Sequence, residues 1–459
     1  MALALLPAAA ASAQTVPSGK LPENLTPGAQ VTQAGAFGPK QFLSPKTCGS
    51  CHEAIYEQWN GSVHNHAFQD PIWQAVSKLF LRQSTHEAAK AEARSCVRCH
   101  APIAYATGQL TTTEGDFAKV KGTAKLGISC DFCHSVKASA GIGNGAFILD
   151  PGENARKPGL KRGPYRDSKS PFHGTEFSEL HTRSEFCGMC HEVSHVVNDL
   201  GIEQTYTEWR EGPYNTGDPK TTVHCQDCHM RQKPGVPATG MTDRPDYEGQ
   251  ACEMGPVRPH VFTHYFVGAN AGLPAAMGSK VHSEMAVERL KHAATLEIVA
   301  PKQPKPGALA EVRIKVTNAG AGHYLPTGLT EVRQMWLHVV VTDAKGKAIL
   351  ESGAVDQNGD VDPDAVMYHA VLGGADGKPT VNVAMATMVL SDHRIPPKGH
   401  RVEKFAFLLP QGAASPLAVR ARLRYRSAPQ KVLNAVMKDK APTLPIIDMV
   451  EAKGQIAFQ

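Results

Sequence analysis

The chain has 459 residues, of which 42% are hydrophobic and 20% are charged, and its formal net charge at neutral pH is +5. This composition is typical of a globular protein with two or three domains, and we expect no integral membrane span. No basic run or base-stacking motif accompanies the small positive charge, so no nucleic-acid partner is expected.

The first thirteen residues form an apolar, alanine-rich stretch that ends in Ala11-Ser12-Ala13. Small residues in this pattern are typical of a signal-peptide cleavage site, here before Gln14, although the cationic start of such a peptide is missing. The stretch is also too short to span a bilayer. We expect residues 1–13 to be a signal peptide of a periplasmic or extracellular protein, the alternative being an alanine-rich tail. Residues 14–40, rich in Pro, Gly, Thr and Gln, predict an extended N-terminus of the mature chain.

The region 41–280 is defined by its cysteines, ten of which fall in five Cys-x-x-Cys-His units. Disulfides or tetrahedral zinc sites would explain paired cysteines, but not a histidine directly after every second one. Two thioether bonds to the edge of a porphyrin, with the adjacent histidine on its iron, explain the whole unit. We therefore predict five covalently bound haem c groups, and their attachment outside the cytoplasm agrees with export. The attachment cysteines are Cys48, Cys51, Cys96, Cys99, Cys130, Cys133, Cys187, Cys190, Cys225 and Cys228, and the proximal iron ligands are His52, His100, His134, His191 and His229.

The other face of each iron needs a sixth ligand or stays open. Of 21 histidines, five lie in the motifs and sixteen remain, a surplus that favours irons with two histidine ligands. Such irons suit electron transfer, whereas an open iron binds small molecules and supports chemistry. The eleventh cysteine, Cys252, we expect to be a buried or free thiol rather than a ligand.

Three segments carry a family resemblance: Cys48 to His64 with its Trp59, Cys96 to His100, and Gly127 to His134. Over residues 45 to 200 the chain resembles the tetrahaem cytochrome that accepts electrons from hydroxylamine oxidoreductase. In that family the histidine at the position of His64 is an axial ligand of a different haem, which makes His64 the first distal ligand candidate; the alternative is an exposed helix histidine. The family's second haem is five-coordinate. An active site would therefore lie at the haem of Cys96 and Cys99, for which no certain distal ligand is found.

The remaining distal ligands depart from the family pattern. A histidine soon after the third motif is missing, so His173 or His181 would take that role. The fourth distal histidine of the family would correspond to His224. This residue, however, directly precedes the fifth motif, an addition that resembles octahaem oxidoreductases and pentahaem nitrite reductases.

Two further histidines, His260 and His264, are four residues apart and would share one face of a helix. We expect at least one of them to be distal to the haem of the fourth or fifth motif. His86 and His195 are weaker candidates. The distal candidates are thus His64, His173, His181, His224, His260 and His264.

Beyond a predicted linker helix at 281–293, the region 294–459 has no cysteine and contains many short β-branched runs between turn residues. This pattern predicts an antiparallel β-sandwich of immunoglobulin-like type. The expected fold class is therefore multidomain, with a haem-packed, mostly α-helical and irregular multihaem cytochrome domain followed by an all-β sandwich. In the loop from Asn318 to Gly328, His323 or Tyr324 would pack against or ligate a haem of the first domain or of a neighbouring subunit. The alternative is a tight Gly/Pro turn whose histidine caps backbone groups.

Two functions remain open at this point. The first is an electron carrier in a respiratory chain, passing electrons between donor and acceptor redox partner proteins along largely bis-histidine haems. The second is a haem oxidoreductase of the hydroxylamine or nitrite type, acting on a small nitrogen or sulfur compound at one five-coordinate iron. A nitrite reductase with a lysine ligand is disfavoured because all five motifs end in histidine. A homo-oligomer in which chains share axial histidines is a further hypothesis.

Overall fold

Most of the helices lie in the first 300 residues, and they are short. In a computed structural model, which describes residues 24–300, 304–438 and 441–459, the longest helix has thirteen residues. Helices α1 to α14 span Pro45–Gly49, Glu53–Asn60, Val63–His66, Pro71–Gln83, Glu87–Ser95, Val97–His100, Pro102–Ala106, Cys130–Ser135, Ser184–Gly188, Thr205–Arg210, Cys225–His229, Gly272–Ala276, Lys280–Lys291 and Gln430–Met437. Turns of 3-10 helix occupy Pro39–Gln41, Phe117–Lys119, Gly122–Lys125, Glu179–Thr182 and Val383–Met385. Over the described ranges, no helix combines the length and the apolarity needed to cross a bilayer. The expected signal peptide lies outside these ranges.

Capping residues decide where α1 and α4 begin. The Ser44 side chain accepts a hydrogen bond from the N–H of Lys46, and the Asp70 side chain accepts one from the N–H of Ile72. In both helices the residue after the cap is a proline, whose fixed φ suits the first helical position and whose missing N–H leaves no bond unmade. The cap at Asp70 therefore fixes the start of α4 shortly after α3, the short helix that contains His64.

Short strands connect the motif segments. Strands β1 to β8 span Val136–Ser139, Phe147–Leu149, Leu160–Gly163, Gly174–Phe177, Val193–Ser194, Gly201–Glu203, Gly249–Gln250 and Val257–Arg258. They pair two by two, antiparallel except for β3 with β4. The chain from residue 24 runs along the first pair, where the N–H of Thr26 donates to the carbonyl of Ser139 at 2.8 Å and that of Thr32 to the carbonyl of Phe147 at 3.1 Å. Regular structure is sparse in this part, and bonds of this kind between segments distant in sequence hold the backbone.

The strands of the second part are longer and mostly antiparallel. Strands β9 to β18 span Ala294–Val299, Leu309–Asn318, Gln334–Thr342, Ala348–Ser352, Ala370–Gly374, Pro379–Thr380, Ala386–Asp392, His400–Leu408, Leu417–Arg426 and Ile447–Ile456. One sheet has the order β16-β10-β9 and the other has the order β12-β11-β17-β18. Pairs such as Val312 with Phe405 and Leu337 with Leu423 fix the register in the two sheets.

The facing sides of these two sheets form one hydrophobic core. In β10 and β17 buried and more exposed residues alternate, as expected for strands with one covered face. The core also takes in Met285, Ala286 and Leu290 of α13, so this helix packs on the strands. Its fully buried members include Val312, Ile314, Val316, Met335, Leu337, Val339, Val341, Tyr368, Leu417, Ala421 and Leu423.

A third, smaller sheet lies between the two parts. Its strand order is β14-β13-β15. Leu372 of β13 and Val383 and Ala384 in the adjoining turn share a hydrophobic cluster with Phe80 of α4 and Ala93 of α5. The two helices that lead to the second motif are therefore packed against the β-rich part.

Candidate haem sites

Each Cys-x-x-Cys-His unit folds into a single helical turn. The backbone N–H groups of His52, His100 and His191 donate to the carbonyl of the first cysteine of their own unit, at 2.9, 3.2 and 2.9 Å. In the other two units, helices α8 and α11 contain both cysteines and the histidine. Residues at positions one, four and five of a helical turn lie on the same side. Each unit thus presents two sulfurs and one imidazole together.

In four of the five motif histidines Nδ1 donates to an acceptor of the protein. The acceptors are the backbone oxygens of Ala251 for His52 (2.6 Å), Arg162 for His134 (2.5 Å) and Val267 for His229 (3.0 Å), and the Glu203 carboxylate for His191 (3.2 Å). A histidine whose Nδ1 donates in this way binds metal through Nε2, with its ring orientation fixed. The second nitrogen is therefore the free ligand atom in these four units.

Three motif histidines face a second imidazole at nearly the same separation. The ring centres are 6.2 Å apart for His64 and His191, 6.5 Å for His264 and His134, and 6.5 Å for His323 and His229. A metal ion bound about 2.0 Å from each of two imidazole nitrogens holds the ring centres about 6.4 Å apart. The donor set and spacing thus fit haem iron with two axial histidines.

His64, the first distal candidate, is held in place by Trp59 and the segment before the third motif. The N–H of Ile128 donates to the His64 carbonyl at 2.9 Å, and the indole N–H of Trp59 donates to the carbonyl of Ile128 at 2.9 Å. Gly127 has φ +50°, and a Cβ there would come within 2.5 Å of the His64 oxygen, so only glycine fits. Burial, with smaller effects of His191 and His264, lowers the pKa of His64 to about 3. Its ring is neutral, the form that binds metal.

His134 has two imidazole neighbours, and His181 is the second, with ring centres 5.8 Å apart. Nδ1 of His264 donates to the carbonyl of Phe262 at 3.1 Å, which leaves Nε2 free, whereas Nε2 of His181 is bonded to the carbonyl of Cys133 at 3.0 Å. The bonding of the nitrogens favours His264 as the partner of His134. The path of the chain after the fifth motif places His264 beside the third motif, so the expectation that His260 or His264 serves the fourth or fifth motif stays a prediction.

Three other distal candidates do not lie at this separation from any motif histidine. Nδ1 of His224 accepts from Ser184, and its ring packs on Trp209 with centres 5.6 Å apart. His173 is bonded to the carbonyl of Gly174, and Nδ1 of His260 accepts from the N–H of Tyr247. The weaker candidates have local roles: His86 caps α5, and buried His195 is bonded to the carbonyl of Ala384.

The second motif differs from the others in its surroundings. The ring of His100 stacks on Trp73, with centres 4.7 Å apart and planes 3° from parallel, and Trp73 in turn stacks on Phe117. Burial lowers the pKa of His100 to about 4. Among the described residues, no imidazole faces His100 or His52 at the separation found for the three pairs.

The motif cysteines approach one another between units. Cys48 is close enough to Cys130, Cys99 to Cys190, and Cys187 to Cys225 for the pKa of each thiol to depend on its neighbour. Cys133 is near enough to Cys187 for its charge to raise the pKa of that thiol. The first unit is thus next to the third. The fourth unit is next to the second, the third and the fifth.

Several residues of these sites carry no signal in the sequence. Glu203 is the one charged acceptor bonded to a motif histidine within the described ranges, and it comes from β6, outside every motif. Burial raises the pKa of its carboxyl, but the hydrogen bond and charge of His191 outweigh that effect and bring the pKa below its usual value. Arg289 of α13 lies with a guanidinium nitrogen 3.4 Å from Nε2 of His229. A glutamate or an arginine in an ordinary helix or strand reveals such a role only when the fold places it.

Known proteins offer two informative likenesses. Residues 47–135 match the family described as cytochrome c554 and c-prime. The chain is also similar to the crystal structure of a penta-heme cytochrome c552 from Thermochromatium tepidum, at 21% identity with a TM-score of 0.62, over 91% of this chain and 100% of that chain. Both support a multihaem c-type cytochrome. At this identity the structural likeness shows the fold alone.

At a much lower level, the chain is also similar to structures of isolated β-domains. One is the CARDB domain of PF1109 from Pyrococcus furiosus, at 13% identity and a TM-score of 0.17, over 36% of this chain and 87% of that chain. A likeness at that score carries no structural argument. A search of the curated proteins finds no match.

Proposed function

We propose that the chain holds five covalently attached haem c groups and transfers electrons along them. The ten motif cysteines would form the thioether bonds, and His52, His100, His134, His191 and His229 would be the proximal ligands. Haem supplies a one-electron iron centre to these sites. The observation that carries the proposal is the set of three facing imidazole pairs, whose ring centres are 6.2 to 6.5 Å apart.

The chain's own residues would keep the irons in one coordination state. His64 would complete the fourth site and His264 the third, with His181 as the second imidazole beside His134. Ligands whose rings are fixed by backbone hydrogen bonds move little when charge changes, and this suits a carrier rather than a catalyst. The neighbouring motif cysteines support an order of the haems along the chain of electron transfer: first, third, fourth and fifth. The second haem would lie beside the fourth.

The biological setting belongs to the same proposal. The protein would be exported to the periplasm or beyond, after removal of residues 1–13, and would pass electrons between redox partner proteins in respiration. The mature chain would comprise an extended N-terminus at 14–40, a pentahaem domain at 41–280, a linker helix at 281–293 and an immunoglobulin-like domain at 294–459. Association into a homo-oligomer is part of the proposal.

Electron paramagnetic resonance and optical spectra, recorded with and without CO or NO, test the carrier function. Under the carrier function no iron binds the added gas, and the irons at the three facing imidazole pairs are low-spin because two histidines saturate each of them. Binding of the gas at one iron would overturn a pure carrier function and would favour the oxidoreductase, whose assays use hydroxylamine and nitrite. His52 and His100 are the ligands to examine in that case, since no imidazole faces either of them at the pair separation within the described ranges.

A further inference from the structure

We propose that His323, in the β-rich part, is the second axial ligand of the fifth haem, so that this redox centre is built by both parts of the chain. The inference rests on the proposed attachment of that haem at Cys225, Cys228 and His229. It gives the β-rich part a direct role in the redox chain.

The first observation is the geometry of the two imidazoles. The ring centres of His229 and His323 are 6.5 Å apart and their planes are 19° from parallel. Nδ1 of His229 donates to the carbonyl of Val267 at 3.0 Å, and Nδ1 of His323 donates to the carbonyl of Tyr324 at 2.9 Å. In both rings Nε2 is therefore free of backbone acceptors, and at His229 its one neighbour among the hydrogen bonds of the described residues is the Arg289 side chain. A histidine that only capped its own turn would need the bond to Tyr324, but not the position opposite a motif histidine.

The second observation is that the loop carrying His323 is clamped to the helical part. Glu208 of α10, 6% exposed, accepts from the N–H of Tyr324 at 3.0 Å and from the hydroxyl of Thr327 at 2.6 Å, and it forms an ion pair with buried Arg394. A buried charge is stable only when it is paired and fully hydrogen-bonded, as Glu208 is here. Residues from both parts thus fix the backbone on the C-terminal side of His323.

The N-terminal side of the loop is fixed by Asn318 and by close backbone contact. The Asn318 amide donates to the carbonyls of His323, at 2.8 Å, and Ile395, at 3.1 Å. At Gly320 a Cβ would come within 1.9 Å of the carbonyl oxygen of His292, so the backbone approach permits only glycine. The glycines of this loop therefore allow it to pack against the end of α13, next to the fifth motif.

The third observation is the cation beside the pair. One guanidinium nitrogen of Arg289 is 3.4 Å from Nε2 of His229, while the other donates to the carbonyl of Cys228 at 3.1 Å and to the side chain of Gln232 at 2.8 Å. Arg289 has no carboxylate partner among the described residues. A part-buried guanidinium without an anion is costly, and the haem propionates are anions of the right size. Arg289 thus marks the surroundings of His229 as a place for an anionic group.

The experiment compares three variants of the full-length holoprotein: His323→Ala, His323→Met and, as a matched control, His400→Ala, which removes an exposed histidine at the start of β16. The haem count by intact mass, the spin state by electron paramagnetic resonance, and a redox titration are measured for each. We expect His323→Ala to convert one haem from low to high spin. His323→Met should keep the haem count and spin states of the wild type and raise one potential, because Met/His ligation raises it. His400→Ala should match the wild type.

The outcomes separate this inference from the proposed function. If both His323 variants carry five haems with the spin states and potentials of the wild type, His323 is not a ligand and the inference fails. If wild-type protein lacks a haem at the fifth motif, the proposed function fails first. Should His323→Ala not fold, His323→Met decides, since its thioether can still occupy the sixth position.

Discussion

The hydrogen bond between His191 and Glu203 should lower the potential of the fourth haem. Nδ1 of His191 is 3.2 Å from a carboxylate oxygen, whereas the histidines of the first, third and fifth motifs donate to uncharged backbone carbonyls. A carboxylate acceptor makes the imidazole a stronger donor and stabilises the oxidised iron. We therefore expect Glu203→Gln to raise that potential.

The size of the shift follows from Coulomb's law. A carboxylate on Nδ1 is about 7 Å from an iron on Nε2 of His191, and at an effective dielectric constant of about 20 one charge at that distance is worth about 2.4 kcal/mol. For a one-electron couple about 59 mV corresponds to a factor of ten, or about 1.4 kcal/mol, so the expected rise is about 100 mV. Screening by water is limited because the Glu203 side chain is 18% exposed.

Spectroelectrochemical titration of the two proteins measures this shift. One of the five redox waves should move upward, and the spin states should not change, because glutamine still accepts the hydrogen bond. Glu153→Gln, which alters a carboxylate that is 68% exposed and paired with Lys157, is the control and should leave all waves in place. A shift below about 30 mV, or a downward one, would refute the reasoning that the charge of Glu203 acts on the fourth site.

Three other predictions follow from single residues. His64→Met should raise one haem potential while leaving the haem count at five, which the same titration and an intact mass would show; an unchanged titration would mean that His64 is not a ligand. Glu208→Gln removes one of the two carboxylate partners of Arg394, the other being Asp392, and should cost about 2 kcal/mol of unfolding free energy, measured with denaturant; no loss would argue against the clamp. Burial raises the pKa of Glu331 to about 8 from 4.5, so the folded state takes up a proton and its stability falls as pH rises between these values. Between pH 4.5 and pH 7 the free energy of unfolding of Glu331→Gln should therefore rise by about 3 kcal/mol relative to that of the wild type. Denaturant unfolding that shows no pH-dependent difference between the two proteins would contradict the raised pKa of Glu331.

The parts of the molecule that were predictable from sequence have local causes. The five motif turns follow from the cysteine and histidine spacing alone, and helix α4 follows from a capped start next to helix-forming residues. The short β-branched runs of the region 294–459 correspond to strands such as β10, β11 and β17. The position of His64 relative to Trp59 was predictable from the family resemblance.

The parts that were not predictable depend on the path of the chain between elements. The pairing of His264 with His134 requires the segment after the fifth motif to return to the third, and no local pattern encodes that return. The sequence flagged the His323 loop but did not select a partner for it, because the clamp from Glu208 joins residues far apart in the chain. The small third sheet and its contact with α4 and α5 also went unpredicted, since its strands are short and irregular.

The central claim is that all five motifs carry haem. Intact-mass measurement of the protein purified from a host with an active cytochrome c maturation system tests this claim most directly. The account predicts a mass that exceeds the mature polypeptide by five haem groups, with the excess retained under denaturing conditions because the bonds are covalent. A retained excess of three haems or fewer on properly matured protein would contradict it.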